Sequence, residues 1–275
     1  GNHLKMTENL FDKKLQQIKA DGLHRQMRYL ESPQGSHVRI AGEDILMLSS
    51  NSYLGLCFDD RLRSAAHAAL EQYGTGSGGS RLTTGSYDIH KKLEEEIAAF
   101  KGTEAALVFA TGYMANVGII SAVAGKNWVI FSDRLSHASI IDGCRLSGAE
   151  IVVYEHCNPA DLERKTSRYR GRQGLIVTDG LFSVDGDIAP LPALVEIARK
   201  HQLLLMVDDA HATGVLGKNG GGTAEHFGLD GGIDIVMGTL SKALASEGGF
   251  VAGSHSLMDC LVNSARSFIF STAPA

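Results

Sequence analysis

Lys242 is the residue around which chemistry can be organised. It stands in Ile235-Val-Met-Gly-Thr-Leu-Ser-Lys-Ala-Leu244, after an apolar run that stops at Gly238. The pair Gly248-Gly249 and a second apolar run, Phe250–Ala252, follow it. A lysine held between two strand-like runs is poorly placed for a solvated surface charge. Desolvation lowers its pKa and frees the amine for a Schiff base with a carbonyl. The plainer alternative is a lysine on a surface turn, and the decapeptide alone does not separate the two.

Other polar residues also stand just after apolar runs. Asp208 and His211 follow Leu203–Val207, and Ser183 lies in Thr178–Gly186 after Leu175–Val177. His137 closes the segment Ser132–His137 after Trp128–Phe131. Gly112 and Tyr113 follow Ala105–Phe109 and open a helical stretch, whose free N–H groups would make a phosphate seat. Each has a plainer reading: a βα turn for Gly112-Tyr113, a helix cap for His137. Asp208 and His211 offer a metal only two ligands, with no third at fitting spacing, so no metal is expected. Asp208 reads better as a carboxylate that holds a cation in a dry site. Taken together, these residues supply the set that pyridoxal 5′-phosphate (PLP) requires: a Schiff-base lysine, a carboxylate for the pyridinium nitrogen and a phosphate site.

Such residues converge only if the elements carrying them do. From residue 105 onward short β-type runs recur: the five already named, with Ile151–Tyr154 and Ile235–Met237. Helix-compatible stretches at Tyr113–Val123, His137–Leu146, Pro159–Arg168 and Leu191–His201 separate most of them. Strands apolar at consecutive positions are buried on both faces, and alternation with helices implies crossovers and a mostly parallel sheet. The expected fold is therefore a doubly wound α/β domain with its ligand at the carboxyl ends of the strands.

Upstream, residues 7–20 carry Leu10, Phe11, Leu15 and Ile18 at helical spacing, an amphipathic helix expected to pack on another element. Val38–Ile40 and Ile45–Leu48, split by Ala41–Asp44, suggest a small hairpin. A helix is expected over Arg61–Tyr73 and another over His90–Phe100. Between them, the glycine-rich Gly74–Gly85 reads as an ordered loop that brings backbone close to a ligand or partner.

The 275 residues could form one large domain or two ordinary ones, with an apolar share of 44% and a charged share of 21% typical of a globular chain. A net charge of −5 and a pI near 6.1, without a basic cluster, argue against nucleic acid or an anionic membrane as partner. No apolar run is long enough to span a bilayer, and Gly1–Met6 lacks the core of a signal peptide. Cys57, Cys144, Cys157 and Cys260 lie far apart, as reduced thiols in the cytoplasm would.

Six segments resemble the α-oxoamine synthases, PLP enzymes of the fold-type I aminotransferase superfamily. They are Ser50–Leu56, Gly76–Arg81, Ser136–Asp142, Asp179–Gly186, Asp208–Gly214 and Gly238–Ala243, in the family's order. The resemblance implies a seven-stranded, mostly parallel sheet with helices on both faces. It implies a PLP-binding large domain over 49–275, preceded by the helix and hairpin of 1–48. Members continue into a C-terminal small domain beyond the point where this chain ends, so that domain is expected to be absent here. Lys242 would anchor PLP and move the α-proton, Asp208 would pair with the ring nitrogen, and His137 would stack on the ring. Ser183 and His211 would hydrogen-bond around the phenolic oxygen, and Gly112 and Tyr113 would help seat the cofactor, with Thr239 near its phosphate. Thr272 would reach the partner subunit's phosphate in a homodimer with shared sites. Arg25 and Asn51, with His137, would bind substrate.

The implied reaction is decarboxylative condensation of L-alanine with a pimeloyl thioester, on CoA or an acyl-carrier protein, in biotin synthesis. The rivals are the sister activity joining glycine to acetyl-CoA, and a fragment that binds PLP or dimerises without turnover. A nucleotide-binding Rossmann domain ranks last, since neither G-x-G-x-x-G after the first buried strand nor a G-K-[ST] loop is present.

Overall fold

The computed structural model describes residues 2–229 and 231–275, and the chain divides into two compact units, Gly1–Leu48 and Ser49–Ala275. The first unit holds α1 (Asn2–Ala20), β1 (His37–Ile40) and β2 (Glu43–Leu46). The strands pair antiparallel with Ile40 opposite Glu43. The hairpin turn is therefore Ala41-Gly42 alone, shorter than the expected four residues. Both take positive φ (51° and 77°), the twist that a two-residue hairpin turn needs. Leu10 and Phe11 of α1 are 59% and 72% exposed, so the packing expected of that stripe is not made by these two side chains.

The second unit runs α2 (Asp60–Tyr73), α3 (Asp88–Lys101), β3 (Ala105–Phe109), α4 (Gly112–Val123), β4 (Val129–Asp133), α5 (Ala138–Ser147), β5 (Glu150–Tyr154) and α6 (Pro159–Thr166). It continues through β6 (Gly174–Asp179), α7 (Leu191–His201), β7 (Leu204–Asp208), α8 (Thr223–Phe227), β8 (Ile235–Thr239), β9 (Gly249–Gly253), α9 (His255–Ser264) and α10 (Arg266–Ile269). The strands form one seven-stranded sheet in the order β3-β9-β8-β7-β6-β4-β5. β9 pairs antiparallel with both neighbours, and the pairings from β8 to β5 are parallel.

The apolar runs behave as doubly buried strands should. Ile130, Leu175, Val177, Met206, Ile235 and Met237 point to one face, where they pack with Ile119 and Ile120 of α4, Ile140 of α5 and Leu261 of α9. Their neighbours Val129, Phe131, Ile176, Leu205 and Val207 point to the other, against Leu162 of α6 and Leu194 of α7. Near the β3 edge, Val108 and Phe250 pack with Ile97 of α3. Each such side chain contributes about 1.5–3 kcal/mol by leaving water, so the sheet is a rigid platform for whatever its strand ends carry.

The glycine-rich stretch 74–85 is ordered. Ser77 Oγ donates to Ala273 O at 2.7 Å and Ala273 N donates to Gly79 O at 2.9 Å, tying it to the end of the chain. α8, α9 and α10 were not anticipated from the apolar pattern. Among the described residues, no helix is long and apolar enough to cross a membrane.

Candidate active site

The carboxyl ends of the parallel strands converge on one cavity of about 160 Å³. At the end of β3, the Thr111 side chain accepts a hydrogen bond from Met114 N at 3.1 Å and so caps α4. Gly112 then opens the helix against β8. A Cβ there would lie 3.1 Å from Met237 Cε and 3.7 Å from Thr239 Cβ, which leaves the helix N–H groups facing the cavity only while residue 112 stays small. Tyr113, beside it, donates its hydroxyl to Asp142.

Lys242 sits in the short connection from β8 to β9. That connection is closed by Leu240 N to Gly248 O at 2.9 Å and Ser246 N to Leu240 O at 2.8 Å. Thr239 Oγ1 donates to Gly248 O at 2.9 Å and accepts from Ser241 N at 3.2 Å. The lysine is half-buried, and burial pulls its pKa below the ordinary amine value, opposed by the carboxylates of Asp208 and Asp179. It is the desolvated amine that the sequence suggested.

Asp179 and Asp208 face each other across the β6–β7 pairing. Asp208 is 4% exposed; it accepts from Asn116 Nδ2 at 2.7 Å and from Ala210 N at 2.9 Å. Asp179 accepts from His137 N at 3.0 Å. Burial raises both pKa values, and the Asp208 charge adds to the rise at Asp179. Two buried carboxylates this close disfavour each other's charge, and a cation between them relieves that cost.

Two imidazoles complete the wall. His137 is the N-cap of α5: its Nδ1 accepts from Ser139 N at 3.2 Å and lies 2.6 Å from Ser139 Oγ. Ser139 Oγ in turn accepts from Asn116 Nδ2 at 2.9 Å, which links His137 to Asp208 through a buried amide. His137 is thus both the cap of α5 and part of the cavity wall. His211 Nε2 lies 3.0 Å from Lys242 Nζ, and its Nδ1 lies 2.6 Å from the hydroxyl of Tyr53. Burial, then the positive charges of Lys242 and His137, push the His211 pKa down to about 4.

Of the residues singled out in the sequence, Gly112, Tyr113, His137, Asp208, His211, Thr239 and Lys242 line this cavity together. Ser183 lines an adjoining cavity of about 220 Å³ that shares His137 and Asp179. Asn51 stands outside the wall, its Oδ1 accepting from Tyr53 OH at 3.2 Å. Thr272 is exposed and forms an isolated antiparallel bridge with Ser80, away from the cavity of its own chain. Arg25 is exposed and belongs to the other unit.

Sequence reasoning missed Asn116, Ser139, Asp179 and Tyr53 as site residues. Asn116 carried a signal, since it is a polar residue one turn into an otherwise apolar helix. Asp179 carried another, as the carboxylate that ends its strand. Ser139 and Tyr53 stood inside the family-like segments without a role.

The donor set fits PLP. It offers a half-desolvated primary amine for the aldehyde, a buried carboxylate for the ring nitrogen, an imidazole beside that carboxylate and a helix N-terminus for the phosphate. Asn116 Oδ1 is moreover buried without a hydrogen-bond partner in the wall of the same cavity.

Comparison with known proteins agrees. A sequence profile of the aminotransferase class I and II family matches residues 43–275. The putative 8-amino-7-oxononanoate synthase of Acetivibrio thermocellus is 56% identical over 264 residues, covering 96% of this chain and 68% of that protein. The 8-amino-7-oxononanoate synthase 2 of Bacillus subtilis is 53% identical, with 97% and 68% covered. Among solved structures, serine palmitoyltransferase from S. paucimobilis with a bound PLP–myriocin aldimine is similar at a TM-score of 0.89 and 37% identity. The likeness covers 98% of this chain and 68% of that one. An 8-amino-7-oxononanoate synthase from Francisella tularensis has a TM-score of 0.70 at 33% identity, with 82% and 63% covered. The chain belongs to the aminotransferase class I and II family and is a PLP-dependent enzyme.

Proposed function

We propose that this enzyme joins L-alanine to a pimeloyl thioester, on CoA or an acyl-carrier protein, with loss of carbon dioxide and thiol, giving 8-amino-7-oxononanoate for biotin synthesis. The observation that carries the reading is that Lys242, 3.0 Å from His211, lines one cavity with His211 and the buried Asp208. Identity above 50% to proteins named for that activity supports the choice of substrates.

PLP, when bound, supplies a ring that draws electrons away from the amino acid's α-carbon. The chain's residues do the rest. Asp208 would hold the ring nitrogen as its carboxylate partner, with Asn116 Nδ2 and Ala210 N fixing the carboxylate's direction. His137 would lie against the ring, held by Ser139. Gly112, Tyr113 and Thr239 would seat the phosphate at the start of α4. Ser183 would approach the ring's phenolic oxygen alongside His211, and Thr272 would serve the partner's site in a homodimer. Arg25 and Asn51 would meet the substrate. Lys242 Nζ would take the α-proton and later return it, and burial, by lowering its pKa from the ordinary amine value, favours the neutral form that can accept a proton. Removal of water from Lys242 and Asp208 strengthens each of these interactions.

Alanine differs from glycine by one methyl group, which a pocket discriminates by only ~1–3 kcal/mol. The amino acid therefore has to be measured. The structural likeness to serine palmitoyltransferase keeps serine with a long acyl thioester as the second candidate. Mass spectrometry of products from alanine, glycine or serine, each paired with pimeloyl, acetyl or palmitoyl thioesters, decides. Alanine with pimeloyl thioester is expected to turn over best; preference for another pair overturns the assignment.

A further inference from the structure

We propose that Tyr53 is a positioning residue for Lys242: it sets which nitrogen of His211 carries the proton and opens a hydrogen-bonded path from the lysine amine to the protein surface. The inference rests on the reading that Lys242 moves a proton, and it adds a residue with no place in that reading. Four side chains lie in line. Lys242 Nζ is 3.0 Å from His211 Nε2, His211 Nδ1 is 2.6 Å from Tyr53 OH, and Tyr53 OH is 3.2 Å from Asn51 Oδ1. Tyr53 and His211 are 158 positions apart and meet at a tilted ring contact of 6.0 Å between centroids. The buried end of the chain is the amine, and the far end is wet: Tyr53 is 43% exposed.

Protonation states follow from the neighbours. The groups that act on His211 are Tyr53, Lys242 and His137, and those that act on Lys242 are Asp208 and Asp179. Burial first, then the neighbouring Lys242 ammonium, holds the His211 pKa at about 4, so the ring is neutral near pH 7. A neutral imidazole has one N–H and one lone pair, so donating at one nitrogen forces accepting at the other. While Lys242 is an ammonium it can only donate, so Nε2 accepts and Nδ1–H donates to the Tyr53 oxygen. The Tyr53 hydroxyl then donates to Asn51 Oδ1, and every group is satisfied in one direction. When Lys242 gives up its proton the direction reverses. An N–H bond breaks at Lys242 as Nε2–H forms; Nδ1–H breaks as a new Tyr53 O–H forms; the old Tyr53 proton leaves to water. One proton has passed from the amine to solvent, and no oxidant or co-reactant is needed. Tyr53 stays a neutral phenol throughout, since burial raises rather than lowers its pKa. Phenylalanine at this position keeps the ring contact and removes the relay.

The first test needs no cofactor. In PLP-free protein, nitrogen-15 NMR of labelled histidines reads the tautomer of His211 near pH 7. The wild type is expected to carry the proton on Nδ1. Tyr53→Phe takes away the acceptor of Nδ1–H, so it is expected to favour the Nε2–H tautomer together with a neutral Lys242, and thereby to lower the pH at which Lys242 is methylated by formaldehyde and borohydride. Difluorotyrosine at position 53, a stronger acid of nearly the same shape, is expected to give a tautomer shift in between, which a folding defect would not produce. The second test uses the PLP-loaded enzyme and follows exchange of the alanine α-proton in heavy water. Tyr53→Phe is expected to slow exchange about tenfold, a modest share of what proton transfer by a positioned group provides, with KM changed less than twofold. A His211 tautomer identical in the wild type and both variants overturns the proposal, as does an exchange rate in Tyr53→Phe within twofold of wild type. Failure of the wild type itself to exchange alanine would overturn the substrate assignment instead, and the tautomer result would still decide the role of Tyr53.

Discussion

At the scale of single residues, the site is a set of groups that disturb one another. Lys242 loses basicity because it is buried, while Asp179 and Asp208 lose acidity for the same reason. A carboxyl whose pKa rises on folding binds its proton more tightly folded than unfolded. It favours the folded state at low pH, and that advantage is lost as pH climbs from the unfolded carboxylate range near ~4 through the higher folded value. The contribution of this pair to the stability of the PLP-free protein should therefore fall from acid towards neutral and mildly alkaline pH. Asp179→Asn, which can still accept from His137 N, should remove part of that loss. Thermal melting of the cofactor-free forms checks this: the variant's Tm should gain on wild type between about pH 5 and about pH 8, by about 2–4 °C per kcal/mol recovered. A constant difference across that range would show that folding does not raise the Asp179 pKa. Asn116 belongs to the same scale. Its polarity was visible in the sequence, but its partner Asp208 lies 92 positions away, a distance that local pattern cannot bridge.

At the scale of elements, two clamps hold the strand ends in place. Lys101, the last residue of α3, is 2% exposed at its side chain. It donates to Thr213 Oγ1 at 2.9 Å and Gly221 O at 2.8 Å, and pairs with Asp209 at 3.4 Å. It thereby pins the segment after β7, which carries His211. Lys101→Met leaves Asp209 buried and without its cation, which should cost about 3–5 kcal/mol. Denaturant unfolding should show that loss, and adding Asp209→Asn should restore part of it; a loss under 1 kcal/mol, as for exposed pairs, would contradict the clamp. The second clamp is His156, whose Nδ1 lies 2.9 Å from Asp133 and whose Nε2 lies 2.6 Å from Asp187. Burial works against its charge, but the bonds to the two carboxylates outweigh it and the pKa is raised. The charged clamp is present at low pH and is lost as pH rises through that raised value. Hydrogen exchange in residues 181–188, which include Ser183, should accelerate over that rise in wild type. In His156→Phe it should be fast at every pH.

These elements also show what the sequence could and could not reveal. The strands were legible because each is apolar at consecutive positions, a pattern that only burial on both faces produces. The hairpin turn was drawn too long, because Glu43 and Asp44 look like turn residues yet pair with Ile40 and Arg39. α8 is a five-residue helix in a glycine-rich setting, too short to show a period. α9 and α10 follow the last strand, where the alternation that revealed the earlier helices has ended.

At the scale of the whole molecule, the sheet is what turns scattered weak signals into one site. Gly112, His137, Asp208 and Lys242 stand at or just after the ends of four different strands, and each alone had an ordinary explanation. The strand order brings those ends to one edge, and only the expectation that ligands sit at carboxyl ends of parallel strands linked them beforehand. The contact between Tyr53 and His211 had no such guide, because Tyr53 precedes the first strand of the sheet. The central claim is that this convergence makes Lys242 the covalent anchor of PLP. The full chain, incubated with PLP, reduced with borohydride, digested and analysed by mass spectrometry, tests it most directly. The expected result is one pyridoxyl-phosphate adduct, on Lys242, and none in Lys242→Ala. An adduct spread over exposed lysines, or one that persists unchanged in the Lys242→Ala protein, would contradict it.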